Sequence, residues 1–153
     1  MAESEGIKIL AANRRAGRIY HLSDNFEVGI VLSGAEVKSC RGGKIQLSDS
    51  YAAVKDNELW LFNAHISHYG YARDDEREPT TRRKLLAHRK QIDRLAGKTR
   101  EKGQTMIPTK VYLLKGKVKV ELAMAKGKQL HDKRDEKRKA IEKEEARDAI
   151  RRR

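Results

Sequence analysis

The residue types able to do chemistry fall in four short stretches. In "AKGKQLHDKR", residues 125–134, His131 and Asp132 stand side by side among Lys126, Lys128, Lys133 and Arg134. A histidine next to a carboxylate is material for general acid–base catalysis, here as a ribonuclease pair, but neighbours on a charged tail are poorly preorganised for it. Contact chemistry suits the stretch better: the cations meet phosphates and the imidazole stacks on a base. The plain alternative is a solvated run of charge. "RRKLLAHRK", residues 82–90, sets five cations and His88 around Leu85 and Leu86. It reads either as a phosphate-tracking edge with a leucine packed on an unstacked base, or as a strand start with ordinary surface cations. "NAHISHYGY", residues 63–71, spaces His65 and His68 three apart, near Asp74, Asp75 and Glu76. No third ligand stands at a defined spacing, so a metal is not expected. Cys40 lies close to Lys38 and Arg41, which would lower a thiol pKa. No His or Asn partner accompanies it, and a structural role is the expectation.

Other chemistries are excluded by what the chain lacks. There is no phosphate-binding glycine loop, no dinucleotide fingerprint and no nucleophile elbow, so no cofactor is expected. A single cysteine gives neither an internal disulfide nor a cysteine zinc site. The start, "MAESEGIKIL", has no basic leader or long apolar core, and no apolar run reaches the roughly 20 residues of a membrane span. A cytoplasmic protein with no membrane partner is expected. The strongest global signal is charge: 35 Lys and Arg against 22 Asp and Glu give +13 over 153 residues. Residues 126–153 hold 12 Lys and Arg against 7 acids, and the rest of the chain is basic too. Such a balance favours polyanionic partners.

The elements that must position these groups read mostly as strands. "EVGIVLSG" puts Val28, Ile30 and Leu32 on one face. "YAAVKDNELWLFNAHI" reads as a hairpin through Asp56-Asn57, with Trp60, Phe62, Ala64 and Ile66 on one apolar face and therefore in the core. "KVYLLKGKVKVELAMAKG" turns at Lys115-Gly116, after which Val118, Val120, Leu122 and Met124 face inward. Short helices are expected after Asn13 as N-cap, in "SGAEVKSCRGG" and in "RKQIDRLAGKTREKG", where Ile92, Leu95, Ala96 and Thr99 share a face. "YARDDEREPTTRR" reads as a mobile surface loop. The fold expected is mainly β: a small antiparallel barrel resembling an oligonucleotide-binding fold, with a few peripheral helices. Residues 1–125 form this body. Residues 126–153 form a basic C-terminal tail without an apolar stripe, disordered or conditionally helical. With aromatic residues at only 5%, and Trp60 and Phe62 inside, the expected target is folded RNA read by shape and phosphate. A generic RNA chaperone, a ribonuclease and a membrane-surface protein are the competing classes. The last lacks the amphipathic helix it would need.

Seven stretches carry a resemblance. They are "NRRAGRIY" (13–20), "FEVGIVLSGAEVKSCRGG" (26–43), "LSDSYA" (47–52), "NAHISHY" (63–69), "RKLLAHRKQI" (83–92), "REKGQTMIP" (100–108) and "VKVELAMAKGKQLHDKR" (118–134). In this order they resemble the bacterial small protein B family, the transfer-messenger RNA binding proteins of trans-translation. The resemblance implies a non-enzymatic adaptor that binds the tRNA-like domain of transfer-messenger RNA and delivers it, with elongation factor Tu, to stalled ribosomes. It implies RNA contacts at Asn13, Glu27, Lys84 and Leu85. Arg15 and Lys38 are added here as phosphate contacts, and a monomer is expected. The resemblance also implies that the tail becomes helical in the empty mRNA channel. There Lys126, Lys128, His131, Asp132, Lys133 and Arg134 would meet small-subunit rRNA at the decoding centre. Gly17, His68, Ala87 and Gln129 depart from the family's usual residues.

Overall fold

The computed structural model describes residues 6–70, 77–100, 103–127 and 130–151, and in the last of these segments the side chains of 138–150. The strands are β1 (Ile7–Ala12), β2 (Tyr20–Ile30), β3 (Ile45–Gln46), β4 (Tyr51–Lys55), β5 (Glu58–Phe62), β6 (His65–Ile66), β7 (Arg83–Leu86), β8 (Gln104–Leu114) and β9 (Lys117–Gly127). The helices are α1 (Ala16–Ile19), α2 (Gly34–Arg41), α3 (Arg89–Thr99) and α4 (Leu130–Arg151). The main sheet has the order β1-β8-β4-β5-β7-β2-β9, and β9 pairs back onto β8 to close a barrel. All its pairings are antiparallel. Closure leaves β1 as an added strand along β8 and removes the other edges of the ring.

Two tight turns set the register. Asp56 and Asn57 have φ of 54° and 62°, and Lys115 and Gly116 have 51° and 79°. Paired positive φ is the turn whose twist matches a two-residue hairpin. The second turn aligns β9 so that Val118, Val120, Leu122 and Met124 point inward, as their period requires. Leu59, Leu61, Leu85, Met106 and Val111 fill the same interior. Helix α3 lays Ile92 and Leu95 against it, near β4 and β8.

The face of β5 is the reverse of the expected one. Leu59 and Leu61 are fully buried, while Trp60 and Phe62 lie half-buried on the outside. Asn63, with φ of 61°, breaks the strand after Phe62. Ala64 and Ile66 are buried as expected, but from beyond that break. A shift of one residue exchanges the two faces of a strand.

Helix α2 begins with a capping box. Ser33 Oγ accepts from the Glu36 amide at 3.2 Å, and Glu36 Oε1 accepts from the Ser33 amide at 3.1 Å. Helix α1 starts two residues later than expected, with Arg15 rather than Asn13 at its N-cap. Helix α3 ends at Thr99, ahead of Gly103. Residues 71–76 of the expected surface loop lie outside the described residues. Helix α4 spans 22 residues, and each described side chain from Arg138 to Ile150 is exposed. Among the described residues no helix is long and apolar enough to cross a membrane.

Candidate nucleic-acid interface

Glu27 lies on the outer face of β2. Its cross-strand neighbour on β9 is Glu121, a like charge. Such a pair costs a few tenths of a kcal/mol or more, and it sits in a chain of net charge +13. Neighbours hold both carboxylates. The Tyr112 hydroxyl donates to Glu27 Oε2, and Thr109 Oγ1 donates to Glu121 Oε2. Lys110 Nζ stands 3.9 Å from Glu121 and 5.8 Å over the Tyr112 ring. Burial, and then the hydrogen bond to and charge of Glu27, push the Tyr112 hydroxyl well above its ordinary pKa. The phenol therefore stays a donor at neutral pH and fixes one carboxylate oxygen. The other oxygen is left to accept from a ligand.

A surface groove of about 400 Å³ opens beside this carboxylate, lined by Glu27, Gly29, Leu86, His88 and Lys119 among others. Gly29 permits the groove's closest approach: a Cβ there would meet Leu86 Cβ at 3.2 Å. Leu86 is 51% exposed, and His88 stands at the N-cap of α3 with no capping hydrogen bond from its side chain. An acceptor, an apolar side chain, an imidazole and a cation thus border one cavity. That set can hold an unstacked base by its faces and read its donor edge.

This geometry corrects the leucine. Leu85 pairs with Leu59 and Ile30, is 1% exposed and belongs to the core. Alternation along β7 puts Leu86 at the surface instead. Arg83 is likewise internal: Nε meets Glu36 Oε2 at 2.5 Å, Nη1 donates to Ala64 O at 2.6 Å, and Nη2 to Pro79 O at 2.9 Å. It is thus lost to any phosphate-tracking edge. Lys84 faces out, 3.0 Å from Glu58 with both partners well solvated.

Asn13 and Arg15 line a second groove, of about 460 Å³, together with Tyr20, Asp49 and Tyr51. The Asn13 amide nitrogen donates to Leu47 O at 3.2 Å and to Pro108 O at 3.1 Å. Asn13 therefore ties the end of β1 to a loop and to β8, and so positions Arg14 and Arg15. Arg15 is exposed and reaches Asp49 only at 4.0 Å, a screened pair of little worth. Lys38 is exposed on the last turn of α2, 5.4 Å over the Tyr69 ring.

The remaining sites take their places around these grooves. Cys40 is fully buried, and burial reinforced by Glu36 raises its pKa from 9.0 to about 11 despite Arg83 and Arg77. That is the reverse of activation. His68 Nε2 lies 2.6 Å from Arg77 O, and His65 is half-buried on β6. Lys126 is exposed on β9, opposite His21 and Gln104. Lys128 lies outside the described residues, as do the side chains of His131, Asp132, Lys133 and Arg134, whose backbone is in α4.

Outer-face carboxylates on a basic barrel, a basic helix in continuation and seven ordered motifs narrow the comparison. The model of the SmpB protein family matches residues 10–152. The chain belongs to the SmpB family. The SsrA-binding protein of Acidothermus cellulolyticus is 49% identical over 134 residues, 88% of this chain and 84% of that relative. The SsrA-binding protein of Symbiobacterium thermophilum is 52% identical over 131 residues, 85% and 83% of the two chains. A solved chain from the structure described as "tmRNA-SmpB: a journey to the center of the bacterial ribosome" superposes with a TM-score of 0.66 at 40% identity. It covers 78% of this chain and 85% of its own. Tyr112 and Lys119 were not singled out from the sequence, Trp60 was assigned to the core, and the resemblance pointed to Leu85 rather than Leu86. Strand alternation flags Leu86 once Leu85 is assigned inward, but the Tyr112–Glu27 bond spans 85 positions and leaves no local trace.

Proposed function

We propose that this chain binds transfer-messenger RNA and brings it to stalled ribosomes in trans-translation, as an adaptor without catalytic chemistry. The observation that carries it is the groove at Glu27: a carboxylate fixed by Tyr112 beside Leu86 and His88, in a family whose relatives are named for binding SsrA RNA. Cations alone attract any RNA. A held carboxylate accepts only from base amino, imino or sugar hydroxyl groups, and so selects. The barrel body, through Ala125, takes the tRNA-like domain. Glu27 and Leu86 act at the groove, with Lys84, Lys38 and Arg15 on phosphates and Asn13 positioning Arg15. The tail from Lys126 enters the mRNA channel as a helix, with His131 stacked at the decoding centre and Lys128, Asp132, Lys133 and Arg134 against rRNA. The protein acts in the cytoplasm as a monomer, and elongation factor Tu joins the delivered complex.

Binding to transfer-messenger RNA is measured against an unrelated RNA of equal length at two salt concentrations. The preference should survive salt. Glu27→Gln should reduce it about tenfold and Tyr112→Phe severalfold, each with little change in the unrelated RNA's affinity. Equal binding of both RNAs that collapses with salt would mean only phosphate charge is read, and the proposal would fail.

A further inference from the structure

The reversed face of β5 leaves aromatic rings outside a barrel that does not need them there. Leu59 and Leu61 already fill the interior. Tyr51 and Phe62 are cross-strand partners whose rings stack at 5.2 Å and 21° from parallel. Two residues along β5, on the same face, the Arg82 guanidinium lies 4.4 Å over the Trp60 ring, and Trp60 Nε1 donates to Lys55 O at 3.2 Å. Tyr51 is 39% exposed. Lys84, the β7 partner of Trp60, adds a cation at the border. The result is two stacked pairs in a row, flanked by Arg82 and by Lys84, which Glu58 meets at 3.0 Å.

The location connects both grooves. Tyr51 also lines the groove of Asn13 and Arg15. On the other side, β7 runs two residues from Lys84 to Leu86 and so into the groove of Glu27. An RNA strand leaving either groove along the barrel would cross the aromatic face.

We propose that the outer face of β4 and β5, with Tyr51 and Phe62 as one surface and Arg82 on Trp60 as the other, is a stacking platform for unpaired RNA bases. Every base has a π face that stacks on aromatic or guanidinium planes, and flanking cations hold the intervening phosphates. Duplex RNA cannot use such a surface, because its bases are already stacked on one another. The proposal rests on the RNA-binding reading, but its contacts are distinct from the Glu27 carboxylate.

Trp60 is the chain's one tryptophan and reports directly on the platform. The full chain is titrated with a short oligouridylate, following Trp60 emission and the anisotropy of the labelled oligonucleotide, with an RNA duplex of equal charge as control. The oligouridylate should quench Trp60 and the duplex should not. Tyr51→Ala and Arg82→Ala should each weaken oligouridylate binding about fivefold or more. Tyr51→Leu, which keeps apolar cover without a π face, should behave like Tyr51→Ala. Equal quenching by the duplex, or wild-type affinity in Tyr51→Leu and Arg82→Ala, overturns the platform. If the wild type shows no preference for transfer-messenger RNA yet the oligouridylate results hold, the function proposal fails and the platform stands.

Discussion

At the residue scale, partners decide what each side chain can do. Glu27 is a surface acid with one oxygen held by a buried phenol, which under the proposed function leaves the other to select among RNA donors. Cys40 shows the opposite outcome. Lys38 and Arg41 beside it in the sequence would lower its pKa, but its α2 position puts it in the core beside Glu36, where desolvation outweighs the cations and the expected structural role fits. The shift has a consequence for stability. A thiol with a raised folded pKa binds its proton more tightly when folded than when unfolded. Its contribution is complete below pH 9.0 and is lost as pH rises through about 11. A two-unit pKa shift corresponds to a change on the order of 3 kcal/mol. Urea unfolding between pH 8 and 11 should show this loss, and Cys40→Ala should flatten it. An equally steep loss in Cys40→Ala would assign the titration to other groups.

At the element scale, the buried Glu36–Arg83 pair joins α2 to β7 and, through Ala64 O and Pro79 O, to the segments between β5 and β7. The capping box and the ion pair share Glu36: Oε1 closes the cap and Oε2 takes Arg83. One residue thus starts a helix and anchors it to the barrel. Breaking one side of a buried pair strands the other charge, at a cost of about 3–5 kcal/mol. Arg83→Ala should lower the unfolding free energy by that much. Glu36→Gln combined with Arg83→Met should recover part of the loss, because the Glu36 site then buries no carboxylate short of its closest cation, Arg77 standing farther off at 3.6 Å. Both are read from denaturation midpoints at constant m-value. A cost under about 1 kcal/mol for Arg83→Ala would place Arg83 in the solvated class of ion pairs.

At the scale of the whole molecule, the barrel and α4 stand on different physical footings. The barrel is closed by the β8–β9 pairing around a buried core. Helix α4 presents exposed side chains from 138 to 150, including Ile141 and Ile150, and its support is local, as in Arg138–Glu142 at 3.9 Å. Most helical stability in proteins comes from packing, which those residues do not have. Truncation after Gly127, where β9 ends, should therefore leave the thermal midpoint and the transfer-messenger RNA preference nearly unchanged, while rescue of stalled ribosomes is lost. His131→Ala should retain free RNA binding and lose peptidyl transfer. Loss of RNA preference on truncation would refute the division of labour between body and tail. The sequence by itself determined what is local: the two hairpin turns, the inward face of β9, helices α2 and α3, the charge, and the motif order that marks the family. Each of these depends on residues a few positions apart, and period and turn chemistry report them. Tertiary structure alone decided which of Leu85 and Leu86, and which of Leu59 and Trp60, faces water, because in a short apolar run both strand phases look alike until the neighbouring strands choose one. It also decided that Arg83 is buried and that Tyr112 holds Glu27, since each depends on a partner 47 or 85 positions away that only barrel closure brings within reach.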